Sequence, residues 1–217
     1  MLYIVATPIG NLEDITLRAL RILREADVII AEDTRHTGLL LKHFAIPHKP
    51  MISMYDEVES QKLSDLISLA TLQNVVLVSN AGTPLISDPG YKLVRELIKS
   101  EVAVESIPGP CAAITALTLS GLPPDKFLFL GYPPEKEGHC RKMLDNLPAN
   151  VTVIFYVSPH KLLRFLKLLW QDQEIVVARE LTKIHQEIWR GNIAEALTHF
   201  KNPRGEFVLL FHLEPSH

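Results

Sequence analysis

LYIVATPIGNLEDITLRALRILREADVIIA, residues 2–31, holds one complete unit of a layered α/β protein. Leu2 to Ala6 is a short apolar run of strand length, and Val28 to Ala31 is another. Between them Leu17, Leu20 and Leu23 recur at helical spacing within Thr16–Glu25, which gives that segment one apolar side. Strand, helix and strand in so short a span is the pattern of a parallel sheet built through crossover helices. The pattern continues downstream. It predicts strands at Met51–Met54, Val75–Ser79 and Val102–Ile107, with helices near Gln61–Leu72 and Tyr91–Lys99.

Ile107-Pro108-Gly109-Pro110 cannot extend a strand or a helix, because two prolines remove amide donors and fix φ on either side of a glycine. A first domain is therefore expected over 1–110 and a second over 111–217. In the second, an apolar helix near Ala112–Leu119 is followed by strands at Phe127–Gly131, Val151–Tyr156, Ile175–Ala178, Gln186–Arg190 and Phe207–His212. Ser158-Pro159 opens a helix to Trp170, and Asn192 with Glu195 forms a capping box. The expected fold is α/β, with a mostly parallel five-stranded N-terminal sheet and a smaller mixed C-terminal sheet.

The 217 residues are 47% hydrophobic and 22% charged, an ordinary globular balance. Cys111 and Cys140 have no paired spacing, so the chain reads as reduced and intracellular, and no metal-ligand pattern emerges from the histidines. No apolar run reaches the roughly 18 residues of a membrane helix, and Met1-Leu2-Tyr3 lacks a basic leader. A cytoplasmic protein without membrane contact is expected. The net charge of −3 supplies no global field for a polyanion. Local basic clusters offset this: Arg35, His36, Lys42 and His43; Lys136, His139, Arg141 and Lys142; Lys161, Arg164 and Lys167. Each is equally read as a solvated helix face.

In open α/β sheets ligands bind beyond the carboxyl ends of the strands. Three loops there are rich in small residues and proline: Thr7-Pro8-Ile9-Gly10-Asn11, Asn80 to Gly90, and Pro108-Gly109-Pro110-Cys111-Ala112. Such loops bring main chain close to a ligand and are stiff before it arrives. The competing reading makes them tight turns, with Asp88 capping a helix that starts at Pro89. Neither a dinucleotide glycine fingerprint nor a phosphate-loop Gly-Lys-Ser/Thr is present. Glu32-Asp33-Thr34-Arg35-His36-Thr37 gathers two carboxylates, an arginine and a histidine, enough to hold a polar substrate and accept its proton. Alternatively Asp33 caps a helix running to about His43 and the rest faces water.

With Thr7-Pro8-Ile9-Gly10-Asn11-Leu12, Ala31 to Thr37, Gly82-Thr83-Pro84, Asp88-Pro89-Gly90, Pro108 to Ala112 and Ala178-Arg179-Glu180-Leu181-Thr182-Lys183, the chain resembles the tetrapyrrole-methylase superfamily of class III S-adenosylmethionine methyltransferases, in particular its ribosomal RNA branch. The resemblance implies a homodimer with S-adenosylmethionine in the cleft between two α/β domains. It implies cofactor contacts at Pro8, Asn80, Ala81, Gly82, Thr83, Pro84, Ile86, Pro108, Cys111, Ala112, Phe155, Tyr156 and Leu181. The implied reaction is methylation of a cytidine ribose 2′-hydroxyl in ribosomal RNA of the small subunit. Three departures stand out: Asn80 where the family usually has aspartate, Val157 where it has glutamate, and no further C-terminal helical segment.

A ribose hydroxyl needs help to lose its proton, and Glu32, Asp33 and His36 are the candidates. Arg35 suits a phosphate or ribose clamp, because its planar fork matches oxyanions. Two other functions share this scaffold: C-methylation of a corrin or porphyrin precursor, against which Glu32–Thr37 argues, and non-catalytic binding of the cofactor and RNA in an assembly role.

Overall fold

The computed structural model describes residues 1–54 and 56–214, with backbone alone over 56–61. The chain divides into two compact units, Met1–Cys111 and Ala112–His217.

In the first unit, β1 (Leu2–Val5), α1 (Leu17–Glu25), β2 (Val28–Ala31), α2 (Thr34–His43), β3 (Met51–Ser53), α3 (Asp56–Leu72), β4 (Val75–Val78), α4 (Tyr91–Lys99) and β5 (Val104–Ile107) follow in sequence. The sheet order is β3-β2-β4-β1-β5, and its pairings are parallel. β2 and β4 are buried on both faces, which explains why VIIA and VVLV carry no polar alternation. The pleat sends neighbouring side chains to opposite layers. Val5, Ile29 and Val76 pack with Leu23 of α1 and Leu41 of α2, while Leu2, Ile30 and Leu77 pack with Leu66 of α3 and Leu97 of α4. Each such fully buried leucine contributes roughly 2 kcal/mol of apolar transfer free energy.

The order also places the strand-end loops. From β1 the chain crosses by α1 to β2 on one side; from β4 it crosses by α4 to β5 on the other. Right-handed crossovers in opposite directions put α1 and α4 on opposite faces, so the loops after β1 and β4 diverge at the carboxyl ends of neighbouring strands. Helix α4 spans the expected Tyr91–Lys99. It begins at Tyr91 after Gly90, whose φ is 125°. The N-cap position falls on Gly90 rather than Asp88, and this left-handed glycine also lets backbone pass Leu77: a Cβ there would lie 2.8 Å from the leucine Cδ2.

In the second unit, α5 (Ala112–Ser120), β6 (Phe127–Phe129), α6 (Glu137–Asp145), β7 (Val151–Val157), α7 (Pro159–Leu166), β8 (Glu174–Arg179), β9 (Glu187–Asn192), α8 (Ile193–His199) and β10 (Phe207–Leu213) build a mixed sheet ordered β6-β7-β10-β8-β9. Only β6 and β7 pair in parallel. The sheet matches the first in strand number and its β7 and β10 are longer, so it is not the smaller one. Helix α7 stops at Leu166 rather than Trp170, since Leu168 and Leu169 donate to carbonyls three residues back and tighten the last turn. The capping box of Asn192 and Glu195 is present on α8.

Candidate functional site

In the first unit the three strand-end loops are fastened to one another. Thr7 N donates to Gly82 O at 2.9 Å and Gly82 N returns to Thr7 O at 3.0 Å. Thr83 Oγ1 donates to Pro110 O at 2.9 Å, tying the second loop to the third. Gly109 lies so close to β1 that a Cβ on it would meet the Ala6 Cβ at 2.9 Å. Gly82 has φ of 81°, and an added Cβ would press on Ile9 Cγ2 at 3.3 Å. Leu85 and Ser87 also adopt left-handed backbone, with φ of 73° and 67°. Such conformations cost about 1–2 kcal/mol each for residues with a side chain. Pro8 and Pro84 are buried within this assembly, whereas Ala81, Ile86 and Pro108 are exposed. Thr7, itself buried, belongs to the first of the loops marked by the sequence but is not among the site residues expected from it; its pairing with Gly82 is a finding of the structure.

Inside the second loop sits an unmet need. Asn80 Oδ1 is the one buried side-chain polar atom without a hydrogen-bond partner among the described residues. A buried acceptor left without a donor costs about 1–3 kcal/mol, so an atom like this marks where a donor from outside would bind. The Asn80 main-chain N–H donates to Glu32 Oε2 at 3.4 Å. Glu32 leaves the end of β2, and its carbonyl accepts the Ser53 hydroxyl at 3.3 Å. Asn80 and Glu32, 48 residues apart, are thus brought together at neighbouring strand ends.

Of the two parts that the sequence allowed, Asp33 takes that of the helix cap. It caps α2, accepting from Arg35 N at 2.8 Å, and its carboxylate takes Arg35 Nε and Nη2 at 3.2 and 2.9 Å. The hydrogen bonds and charge of Arg35 hold its pKa down at about 2. A carboxylate so engaged is a weak proton acceptor. Arg35 is 90% exposed beyond that pair, and His36 faces outward on the first turn of α2. Of the three candidate bases, Glu32 alone stands at the strand end with a nearly free carboxylate.

In the second unit the Tyr156 hydroxyl accepts from Ala113 N at 3.2 Å, satisfying an orphan donor at the start of α5. Its ring makes edge contacts with Phe129 and Tyr132, centroids 4.8 and 5.9 Å away. Ala112 is half-buried beside it. The adjacent Phe155 points the other way. It is fully buried between Phe165 and Phe211, so its side chain belongs to the core and not to a ligand surface. Leu181, 6% exposed, occupies a turn between Glu180 and Thr182, whose φ values are 49° and 64°. That turn is internally complete: Glu180 Oε1 accepts from Lys183 Nζ at 3.0 Å and Glu206 N at 2.9 Å, and Gln186 Oε1 accepts from Thr182 N at 2.7 Å. Cys111 is half-buried at the end of the first unit. No helix among the described residues is long and apolar enough to cross a membrane.

Against known proteins, residues 1–197 match the family model for tetrapyrrole (corrin/porphyrin) methylases. Ribosomal RNA small subunit methyltransferase I of Escherichia coli O157:H7 is 48% identical over 96% of this chain and 76% of its own length. The protein of the same name from Thermotoga maritima is 42% identical over 96% of both. Among solved structures, diphthine synthase superposes with a TM-score of 0.73 at 16% identity, covering 100% of this chain and 91% of its own. At that identity the likeness concerns the fold alone.

Proposed function

The chain belongs to the tetrapyrrole methylase family, and from that premise we propose that it is an S-adenosylmethionine-dependent methyltransferase of small-subunit ribosomal RNA, acting on a cytidine ribose 2′-hydroxyl. The supporting observation is the partnerless Asn80 Oδ1 beside the Glu32 carboxylate, within loops that are already locked.

The residues present fit the cofactor. A nucleoside offers hydroxyl and amine donors to a buried acceptor such as Asn80 Oδ1, and Gly82 keeps the wall low enough for main chain to approach. Asn80, Ala81, Gly82, Thr83, Pro84 and Ile86, with Pro8, Pro108 and Cys111, would hold it from the first unit; Ala112, Tyr156 and Leu181 are the candidates of the second. When bound, it supplies an activated methyl group. The protein's share is to hold the acceptor oxygen in line and to take its proton. Glu32 receives that proton, because Asp33 is committed to Arg35 and to its helix cap. Arg35, anchored by Asp33, presents its outer edge to a neighbouring phosphate or ribose. Asn80 in place of the family's aspartate keeps a second negative charge away from Glu32. The enzyme is taken to work in the cytoplasm as a homodimer, a state that sedimentation of the pure protein would check.

Labelled S-adenosylmethionine should transfer its methyl group to small ribosomal subunits and not to a porphyrin precursor. Label in the precursor alone would replace this reading with C-methylation. Glu32→Gln should lower kcat about 100-fold or more while cofactor binding holds, whereas Asp33→Asn should lower it less than about tenfold. The opposite ranking would move the base to Asp33.

A further inference from the structure

The second unit has a separate cavity of about 370 Å³ between the loop into α6 and the side of α7. Cys140 and Phe165, nearly inaccessible, form its floor, and Lys136, Lys161 and Arg164 stand on its walls. Two clusters that are separate in sequence thus face one space. Lys161 and Arg164 share a face of α7 because they are three residues apart, and Lys136 is the residue that opens α6.

The charges in this cavity are only partly answered. Lys161 Nζ is held by Glu135 Oε1 at 2.6 Å, but Glu135 is 82% exposed and reaches in from the rim. Hydrogen bonding and charge from Lys161, with the more distant Arg164, keep Glu135 below its ordinary carboxylate range. Glu137 is turned to Arg141 at 3.3 Å. Neither Lys136 nor Arg164 has an ion pair among the described residues. Lys136 makes no side-chain cap hydrogen bond to α6, and a Cβ on Gly138 would meet nothing within 4 Å.

We infer that this cavity binds a backbone phosphate of an RNA strand, with Lys136, Lys161 and Arg164 gripping the phosphodiester oxygens as Glu135 swings off Lys161. The open rim suits a strand that enters and leaves better than a free anion, for which a closed site would be expected. The cations also continue outward: exposed Arg141 and Lys142 follow on α6, the latter about 9 Å along the helix, and Lys167 follows at the end of α7. A volume at the small end of the roughly 300–1,000 Å³ typical of ligand pockets admits one sugar-phosphate unit and not a folded duplex. The inference rests on the RNA substrate proposed above, but on different residues.

The test uses the full chain and a labelled fragment of small-subunit ribosomal RNA, with binding followed by fluorescence anisotropy across a salt series. Replacing both Lys136 and Arg164 by alanine should weaken binding about tenfold and flatten the slope of log K against log salt by between about 1 and 2. The thermal shift given by S-adenosylmethionine should not change. Glu135→Gln, which frees Lys161, should tighten binding about threefold. Unaltered affinity and slope in the double variant would overturn the inference, as would failure of the unmodified chain to bind the RNA. Full displacement of the RNA by millimolar inorganic phosphate at constant ionic strength would also overturn it, as the mark of a small-anion site. An unmodified chain that binds RNA with this dependence yet transfers no methyl group would remove the methyltransferase reading and leave the site standing.

Discussion

Two turns, one in each unit, force residues with side chains into left-handed backbone, and they resolve the cost differently. Around Glu180 and Thr182 the polar groups supply one another: Lys183 bridges Glu180 and Glu206 at 3.0 and 2.8 Å. Burial alone would raise the Glu180 pKa, yet the Lys183 hydrogen bond and the Glu206 amide outweigh it and keep the carboxyl lowered. Around Leu85 and Ser87 the strain is held by neighbouring loops, and Asn80 Oδ1 is left with nothing. A complete turn holds a shape for its own sake. An incomplete one keeps a strained shape with an acceptor left open, which is what the proposed cofactor site requires.

The contrast can be broken at four points. Gly82→Val should have the largest effect, since it needs a β-branched residue at φ of 81° and a Cβ against Ile9; cofactor affinity should fall more than about 100-fold in calorimetry. Near-normal affinity would mean that the loop does not contact the cofactor. Glu180→Ala should lower unfolding stability by about 2 kcal/mol in a urea titration, because it removes one partner of Lys183 and the acceptor for Glu206 N. A loss of only a few tenths would show that the second turn is not self-supporting. Asn80→Ala should reverse that signature, with stability unchanged or raised and cofactor affinity about tenfold lower, since an unanswered acceptor costs the free protein and serves only the complex. Equal loss in both measurements would erase the distinction between the turns.

The smallest effect belongs to Asp33. Its folded pKa of about 2 lies below the 3.8 of the free group, so its pairing with Arg35 contributes stability above that ordinary value, and the contribution is lost as pH falls toward 2. Unfolding curves of Asp33→Asn and the unmodified chain should differ at neutral pH and converge near pH 2. A difference that persists there would assign the effect to something other than this carboxylate.

The first sheet was readable because apolar runs and helical periodicity are local properties, and buried parallel strands show them plainly in VIIA and VVLV. The importance of Gly82 was readable from residue type. What it touches was not: Thr83 reaches Pro110 across 27 positions, and no periodicity reports such a contact. Phe155 and Tyr156 show a limit of another kind. A pleat sends adjacent residues to opposite faces, but VTVIFYV is apolar almost throughout, so nothing in it says which aromatic faces the core. Helix α6 was legible only as a run of charges, because Cys140 and Leu144 are its only fully buried residues.

The position of β1 between β4 and β5 also dictates an order of events at birth. Its partners begin at Val75 and Val104, so one of its edges waits for about 70 further residues and the other for about 100. At roughly 5–20 residues per second the longer wait is about 5–20 s. The three strand-end loops therefore meet only after Pro110 has left the ribosome, and a nascent chain that stalls earlier exposes a sticky, half-built sheet to chaperones.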